Sequence, residues 1–472
     1  MPLAQRHVTF GGRIVILGFG SIGQGILPLL LRHLAIVPEQ ITVVTAAESG
    51  AAVAREFGVT FQVTPLTPDN HVGLLAPLLG RGDFLINVSV EVASTALVAF
   101  CRDREVLYLD TCIEPWAGGY TDPALSPAQR SNYALREALL ALRQPGPAPT
   151  AVVTHGANPG LVTHFTKRAL LNLAADAGLP ADLPRSREEW GHLAHRLGVR
   201  VIHVAERDTQ RAARPKRRGE FVNTWSIDGF VSEGAQPAEL GWGSHERHFP
   251  ADGRRHDFGS GCAIWLAQPG AATRVRSWTP LEGPYHGFLI THSEAISIAD
   301  YFTLRAADGS VLYRPTVHYA YHPCDDAVLS LHEFAGRSWR LQPAKRLMVD
   351  EIVDGTDELG VLLMGHRRGA YWYGSRLSIE AARRLAPHNN ATSLQVTSAA
   401  LAGVVWAIEN PTLGIVEPEE VDFIRILELC APYLGDLIGV YGDWTPLVRR
   451  GRLFAEDLDR SDPWQFKNFR VT

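Results

Sequence analysis

The sequence predicts an α/β protein in which a doubly wound parallel sheet is followed by an α+β domain with a mainly antiparallel sheet. Short apolar strands alternate with helices from residue 14 to about residue 154, a spacing typical of a parallel sheet with helices on both faces. Beyond about residue 156 the alternation stops, and Trp, Tyr and Gly become frequent between candidate strands. The chain of 472 residues is long enough for two or three domains.

The first domain is predicted to contain alternating strands and helices in a regular order. Its first strand, Ile14–Leu17, is a short apolar run, as expected for a strand that is buried on both faces. Further strands are predicted at Ile41–Thr45, Thr60–Val63, 83–88, 106–110 and 151–154, with a loop at 145–149 before the last of them. Helices are predicted between the strands at 22–33, 50–57, 69–79, 93–102 and 132–143.

The rest of the chain is predicted to form a second domain and a C-terminal segment. A long helix is predicted at 159–177, strands at 200–204, 221–229, 287–291 and 301–304, and strand or turn edges at Tyr313-Arg-Pro and Tyr321-His-Pro. Ala391–Glu409 is predicted to be an amphipathic helix with small residues that returns to the first domain. Residues 416–472 are predicted to be a tail with a short helix at 419–430. The predicted domains are therefore residues 1–155, 156–390 and 391–472.

A glycine motif follows the first strand directly. Gly18, Gly20 and Gly23 form the pattern G-x-G-x-x-G, which allows a tight turn, close approach of a pyrophosphate and close packing of helix on strand. Free N–H groups at the helix start, where Ser21 and Ile22 lie, attract negative charge. Glycines also end strands for packing reasons, but their place between a strand and a helix predicts a Rossmann-type domain that binds a dinucleotide.

The second strand ends without the acidic residue that usually binds the ribose 2′-hydroxyl of a dinucleotide. Its last residue, Thr45, is followed by Ala46 and Ala47, and the nearest acid is Glu48. Either Glu48 reaches the ribose or weaker partners such as Thr45 bind it. No arginine follows that would select a 2′-phosphate, so NAD is favoured over NADP as the cofactor.

The ends of the fourth and fifth strands are expected to border the cofactor, because a dinucleotide lies at the carboxyl edge of such a sheet. These positions hold Asn87 and Ser89, and Asp110 and Thr111. The alternative for residues 87–90 is a loop that satisfies its own backbone.

Composition excludes several classes of partner. A formal net charge of −5 gives no basic footprint for nucleic acid. The five cysteines are scattered without a C-x-x-C pair, so neither a zinc knuckle nor a disulfide framework is predicted, and no metal site is assigned. The N-terminal Met-Pro-Leu-Ala-Gln-Arg-His lacks the apolar region of a leader, and no stretch reaches the ~18 apolar residues of a membrane span. We therefore expect a cytoplasmic protein without a membrane or nucleic-acid partner.

Polar residues are concentrated in segments that helix or strand stability does not require. These segments are Asp110-Thr-Cys-Ile-Glu-Pro-Trp116, His155-Gly-Ala-Asn-Pro-Gly160, Ala205-Glu-Arg-Asp-Thr-Gln210, Asn223-Thr-Trp-Ser226, residues 233–243, Thr291-His-Ser-Glu-Ala-Ile-Ser297, Tyr319-Ala-Tyr-His-Pro323 and residues 354–360.

Through these segments the sequence resembles the bacterial homospermidine synthases, relatives of the saccharopine and carboxynorspermidine dehydrogenases. The resemblance runs almost end to end, and its most unusual stretches are Ala-Glu-Arg-Asp-Thr-Gln-Arg, Val-Asn-Thr-Trp-Ser and Asp-Glu-Leu-Gly-Val-Leu-Leu. It implies a Rossmann domain with a substrate domain, usually in a homodimer, and NAD that is not consumed overall. One putrescine is oxidised to an imine, a second attacks it, ammonia leaves, and the new imine is reduced to homospermidine.

The resemblance also implies roles for individual residues. Trp225 corresponds to a tryptophan whose face is turned to the central substrate atoms, where an indole can stabilise a cationic imine; the alternative is a core tryptophan. Glu206 and Asn158 correspond to inner amine-binding residues, with a salt bridge to Arg207 or Arg211 and a helix cap as the respective alternatives. Glu233 corresponds to the residue that binds the outer amine, or it is a solvated loop acid.

Further residues complete the predicted site. His292 and Glu294, expected on a strand, would face one pocket because residues i and i+2 share a face, and a histidine suits proton transfer at amines. The resemblance places Glu114 and the Pro115 carbonyl along the channel between the amine sites and Asp357 near the pocket, although residues 354–357 could instead form a turn.

Two departures and two alternatives accompany this interpretation. Ala46 stands where the family usually has an acid, and His155 where relatives often have cysteine. A net dehydrogenase would need Arg or Lys opposite a substrate carboxylate, and a nucleotide sensor would have no turnover. The sequence leaves open whether spermidine or diaminopropane replaces putrescine, whether a monovalent cation binds, and how a dimer is arranged.

Overall fold

The structure, a computed structural model, describes residues 5–179 and 182–471. The start of the N-terminal stretch analysed above and the final residue of the predicted tail lie outside these ranges. The first domain consists of β1 (Val8–Thr9), β2 (Ile14–Leu17), α1 (Ser21–His33), β3 (Leu34–Ala35), β4 (Ile41–Thr45), α2 (Ala51–Glu56), β5 (Thr60–Val63), α3 (His71–Leu75), β6 (Phe84–Asn87), α4 (Ser94–Asp103), β7 (Leu107–Asp110), α5 (Asn132–Leu140) and β8 (Ala148–Val152).

The predicted parallel sheet is confirmed, and all six predicted strands are in it. Its strands lie in the order β8, β7, β6, β2, β4, β5, and each neighbouring pair is parallel. The central strand β2 is at most 2% exposed at every residue, because helices cover both faces of the sheet. β8 begins at Ala148, inside the segment predicted to be a loop, and α3 is shorter than predicted.

The second domain is built on a large mixed sheet and is mainly antiparallel, as predicted. Its elements are α6 (Leu161–Asp176), α7 (Arg187–Leu197), β9 (Val201–Asp208), β10 (Arg211–Ala212), β11 (Glu220–Asn223), α8 (Ile227–Ala235), β12 (Pro237–Gly241), β13 (Gly253–Arg255), β14 (Ala263–Pro269), β15 (Arg274–Thr279), β16 (Gly283–Phe288), α9 (Ser293–Tyr301), β17 (Leu304–Arg305), β18 (Val311–Tyr313), β19 (Thr316–His322), α10 (Asp325–Gly336), β20 (Ala344–Leu347), β21 (Ile352–Asp354), β22 (Thr356–Met364), β23 (Ala370–Ser378) and α11 (Ile379–Leu385).

The C-terminal segment contributes to both sheets. It consists of α12 (Ala391–Glu409), β24 (Leu413–Val416), α13 (Phe423–Cys430), β25 (Asp436–Gly442), α14 (Phe466–Phe469) and β26 (Arg470–Val471). β24 adds a seventh parallel strand beside β8. β25 pairs with β23, and β26 pairs with β15, in the 11-stranded sheet. The tail was not predicted to contain strands, because these short runs lack the alternation that marks a strand.

Helix α12 has the predicted bounds and packs against α1 and β7, but the amphipathic prediction is wrong. By length and composition it could cross a membrane, yet 89% of its 18-residue apolar window is buried inside the protein. A helix between two domains has no solvent face, so its small residues allow close contacts on every side. Gly403 illustrates this, since an added Cβ would lie 2.6 Å from Leu109 and 2.9 Å from His155.

Two predicted strands of the second domain are wrong. The strand predicted at 221–229 ends at Asn223, and α8 begins at Ile227 because the Ser226 hydroxyl caps it by accepting a hydrogen bond from Gly229 N over 3.1 Å. The strand predicted at 301–304 is divided between the last residue of α9 and the first of β17. Local apolar composition did not separate helix from strand in these short segments.

Candidate active site

A crevice of about 450 Å³ lies at the carboxyl ends of the parallel strands, where a dinucleotide was predicted. Of the predicted cofactor residues, those that line it are Gly18, Gly20, Ser21, Ile22, Thr45 and Ser89. Gly18 has φ +88°, and a Cβ there would lie 2.7 Å from Ser89 N, so only glycine fits this turn. Gly23 is not in the wall: its added Cβ would lie 2.5 Å from Gly18 O, which is the predicted packing role.

The end of β4 gives the crevice no acidic partner for a ribose. Thr45, Ala46 and Ala47 line it, whereas Glu48 is exposed and is not part of the wall. No lysine or arginine is found among the described residues that line this crevice. The crevice therefore fits a dinucleotide without a 2′-phosphate.

Asn87 and Asp110 line neither this crevice nor the smaller cavity described below, and their side chains are instead hydrogen-bonded to neighbouring residues. Asn87 accepts a hydrogen bond from the Ser89 hydroxyl over 2.5 Å, so the loop after β6 does bond to itself, as the alternative proposed. Asp110 accepts bonds from Thr154 N over 2.6 Å and from the Tyr108 hydroxyl over 2.8 Å. Burial raises the pKa of Asp110 to about 7. Thr111 lines the neighbouring cavity described next.

A second, smaller cavity of about 110 Å³ adjoins the crevice. The crevice and the cavity meet at the wall residues that they share, which are Ile22, Val88, Ser89, Val90 and Ser226. Residues of both domains line the smaller cavity, and the predicted site residues among them are Thr111, Glu114, Asn158, Glu206, Trp225, Glu233 and His292.

Glu206 is the innermost carboxylate. It lies on β9, is 2% exposed, and accepts hydrogen bonds from Asn158 Nδ2 over 2.9 Å and from the Tyr319 hydroxyl. Burial raises its pKa above the ordinary range of a glutamate. Neither arginine alternative holds, since Arg207 pairs with Asp325 and Arg211 with Asp354. The Asn158 side chain bonds to Glu206 and makes no cap to α6.

Trp225 is a half-buried wall residue between β11 and α8. Its Nε1 donates a hydrogen bond to the Tyr321 hydroxyl over 3.0 Å, and its ring lies 5.1 Å from that of Phe230. The indole is therefore held at its edge while part of it remains open to the cavity.

His292 and Glu294 do meet, but not on the predicted strand. The strand predicted at 287–291 is β16, which ends at Phe288; His292 is the N-cap residue of α9, and Glu294 is in its first turn. His292 Nδ1 lies 3.3 Å from Glu294 Oε1, and its Nε2 lies 2.9 Å from Glu233 Oε2. These two carboxylates outweigh burial and raise the pKa of His292 well above its ordinary value. Glu294 is fully buried behind the histidine and does not line the cavity.

Glu114 faces the same cavity from the first domain. Its Oε2 accepts a hydrogen bond from Glu91 N over 3.1 Å, and its Oε1 accepts one from Cys112 Sγ over 3.3 Å. Burial raises its pKa to about 7. Glu91 has φ +61°, a conformation that turns this N–H towards the carboxylate. Pro115 is not among the residues of the cavity wall.

Asp357 is part of β22 and not of a turn, and it lies behind the cavity wall. It pairs with Asp208 across the ladder, and its Oδ2 accepts a hydrogen bond from the Thr392 hydroxyl over 2.5 Å. Burial, together with the charges of Glu206 and Asp208, raises its pKa well above its ordinary value. Thr392 itself lines the cavity.

Sequence reasoning missed Tyr319, Cys112, Ser226 and Thr392 as wall residues. Tyr319 and Tyr321 belong to a segment that had been singled out as unusual, and their spacing of two residues on a strand was the available signal that they share a face. Thr392 lies at the start of α12 and carried no such signal.

Two family models match the chain, in the order of its two domains. The saccharopine dehydrogenase NADP binding domain matches residues 14–153, and the saccharopine dehydrogenase C-terminal domain matches residues 156–443.

Individual relatives match over nearly the whole chain. Homospermidine synthase of Blastochloris viridis is 56% identical over 98% of this chain and 97% of its own length, and that of Mesorhizobium japonicum is 53% identical over 98% and 96%. A crystal structure of the homospermidine synthase from Legionella pneumophila in complex with NAD matches with a TM-score of 0.92 and 50% identity over 98% of both chains. The chain belongs to the homospermidine synthase family.

Proposed function

We propose that the protein couples two putrescine molecules into homospermidine with release of ammonia, using NAD without net consumption. The observation that carries this proposal is the small cavity whose wall contains the carboxylates of Glu206, Glu233 and Glu114 together with the Trp225 indole, and which adjoins the cofactor crevice. Putrescine is a dication, so carboxylates and an aromatic face are the groups that recognise it.

The charge of the cavity separates this function from that of a net dehydrogenase for amino-acid adducts. Such an enzyme needs a lysine or arginine opposite a substrate carboxylate. None is present among the described residues that line this cavity, where His292 is the one basic side chain and is already bracketed by Glu233 and Glu294. The cavity therefore favours a diamine over a carboxylated substrate.

The residues of the crevice fit NAD as the resident cofactor. The Gly18–Gly20 turn and the N-terminus of α1, with Ser21 and Ile22, would hold the pyrophosphate, and Thr45 would face the adenosine ribose. When bound, NAD would accept the hydride whose removal oxidises an amine to an imine, and the resulting NADH would return it to the coupled imine. The wall residues that crevice and cavity share support the proposal that this exchange occurs where the two meet.

Glu206 and Asn158 would bind the inner nitrogen. An ammonium must lose a proton before its carbon can release a hydride, and a carboxylate with a raised pKa accepts that proton close to neutral pH. Asn158 Nδ2 and the Tyr319 hydroxyl hold the Glu206 carboxylate in place for this transfer.

Trp225 would stabilise the cationic imine. A desolvated indole face attracts such a cation by about 2 kcal/mol, and the attraction is greatest when the charge is on the reacting carbon and nitrogen. The indole Nε1 already donates a hydrogen bond to the Tyr321 hydroxyl, so its face would be in place before the charge develops.

Glu233 would bind the outer nitrogen, and His292 beside it would exchange protons with that nitrogen. The two residues are hydrogen-bonded, and Glu294 behind them stabilises the imidazolium. When the second putrescine attacks the imine carbon, the attacking nitrogen releases a proton and the departing ammonia takes one up. Glu233, His292 and Glu114 are the groups that could transfer these two protons. Asp357 lies behind the cavity wall, where the hydrogen bond from the Thr392 hydroxyl would connect it to the cavity.

The assembly and location of the protein are predictions from the resemblance and from composition. The resemblance predicts a homodimer, and composition predicts a cytoplasmic protein whose partners are small polyamines. The domain limits of 1–155, 156–390 and 391–472 also stay predictions.

The direct test is incubation with putrescine and a catalytic amount of NAD. We expect ammonia and homospermidine in equal amounts without net NADH. Steady NADH formation that depends on an amino acid would instead support a net dehydrogenase, and NAD binding without any product would support a nucleotide sensor. The same assay with spermidine or diaminopropane defines which amines are accepted.

A further inference from the structure

Two tyrosines on one strand connect the main groups of the cavity. Tyr319 and Tyr321 are separated by one residue on β19, are at most 2% exposed, and share a face of the sheet. Their rings are stacked, with centroids 5.0 Å apart and an interplanar angle of 13°.

Each tyrosine hydroxyl bonds to a different proposed catalytic group. The Tyr319 hydroxyl donates to Glu206 Oε2, and the Tyr321 hydroxyl accepts from Trp225 Nε1 over 3.0 Å. Phe230 packs against the far side, 5.6 Å from the Tyr321 ring and 5.1 Å from the indole. The carboxylate and the indole come from different elements, β9 and the loop before α8, and they meet on this tyrosine pair.

We propose that Tyr319 and Tyr321 are positioning residues: Tyr319 sets the orientation and charge of Glu206, and Tyr321 sets the angle of the Trp225 indole. The proposal rests on the proposed function, because it assigns the two tyrosines to the inner carboxylate and the cation-stabilising face of that reaction. β9 and β19 are neighbouring parallel strands, and Tyr321 lies directly opposite Glu206. The pairing of the two strands therefore fixes the position of the tyrosines relative to Glu206.

The groups around Glu206 make the Tyr319 hydroxyl important for its charge. Burial and the charge of Asp208 on β9 disfavour ionisation of Glu206. Asp357 on β22, Tyr285 and Tyr321 are the other titratable groups around it, and the charge of Glu206 raises their own pKa values. His292 favours ionisation, and the neutral donors that favour it are Tyr319 and Asn158. Removing the Tyr319 hydroxyl should therefore raise the pKa of Glu206 further.

The test compares Tyr319→Phe and Tyr321→Phe with Tyr313→Phe, which removes a buried hydroxyl that bonds to Val199 O away from the cavity. Phenylalanine keeps each ring, so folding should be retained. The readouts are kcat and KM for putrescine across pH, and calorimetric binding of putrescine and of NAD to each protein.

The two variants should differ in kind. Glu206 must be ionised to bind an ammonium, so activity rises with pH through its pKa; Tyr319→Phe should move this acid limb to higher pH and raise the putrescine Kd roughly tenfold. Tyr321→Phe should lower kcat roughly tenfold, with the acid limb and the putrescine Kd almost unchanged. NAD binding should be equal in all variants.

Three outcomes decide the proposal. An acid limb that moves in Tyr319→Phe alone, with the kcat loss in Tyr321→Phe, supports it. Variants that behave like Tyr313→Phe, or that lose activity equally at every pH with unchanged putrescine binding, overturn it. If the wild-type protein forms no homospermidine, the proposed function fails instead, and the putrescine Kd values still show whether Tyr319 positions Glu206.

Discussion

His292 Nδ1 lies 3.3 Å from Oε1 of Glu294, a carboxylate with no solvent exposure. Neither group is stable in that place as an isolated charge, because burial of a single ion is costly. As a pair they keep the imidazolium protonated, and the raised pKa of His292 follows from Glu294 and Glu233.

The first prediction concerns the stability of Glu294→Gln at different pH values. A histidine whose folded pKa is raised stabilises the fold fully below its unfolded pKa near 6.5, and that contribution is lost as pH rises through the folded pKa. The variant should therefore lose ~1–3 kcal/mol of unfolding free energy at pH 5.5, and the loss should shrink at alkaline pH. Urea unfolding at several pH values measures this; a loss that grows with pH would contradict the ion pair.

The second prediction concerns Trp225→Ala. If the indole stabilises the imine cation by about 2 kcal/mol, kcat should fall roughly 30-fold. NAD affinity should hardly change, because Trp225 does not line the crevice that we propose for the cofactor. Trp225→Phe is the matched control: it keeps an aromatic face and should retain more activity than alanine. Equal rates for both variants would remove the cation–π argument.

The parallel domain could be predicted from sequence because its signals are local. Ile14–Leu17 is a continuous apolar run that is followed by glycine, and Ala391–Glu409 is an uninterrupted stretch without proline and without a charged residue before its last position. The sheet of the second domain could not be predicted in this way, because some of its strands come from distant parts of the chain. β25 and β26 enter it from the C-terminal tail, and no local pattern indicates such partners.

The sequence predicted which residues belong to the candidate site, but not how they are arranged in space. The resemblance brought Glu206, Asn158 and Trp225 together, and all three line one cavity. The contact of His292 with Glu294 was expected for a wrong reason, since a helix start and not a strand brings them together. Contacts such as Trp225 with Tyr321 depend on packing between distant elements, which a sequence pattern does not contain.

The third prediction concerns Glu233→Gln. This change removes the charge that would bind the outer ammonium, and it takes one of two carboxylates from His292. The KM for putrescine should rise ten- to a hundredfold, a loss of ~1.5–3 kcal/mol for a hydrogen bond to a charged group. Steady-state kinetics measures this. The control is Glu351→Gln, because Glu351 forms a surface ion pair with Arg346. An unchanged KM would place Glu233 outside the amine site.

The fourth prediction concerns the missing acid at the end of β4. Ala46 lines the crevice at the place where a carboxylate usually binds the ribose, so Ala46→Asp should supply that hydrogen bond and lower the Kd for NAD roughly three- to tenfold. The same charge should repel a 2′-phosphate and weaken NADP binding, whereas Ala46→Arg should do the opposite. Titration calorimetry of both nucleotides checks this without turnover. If neither variant changes the ratio of the two affinities, the ribose does not lie against Ala46.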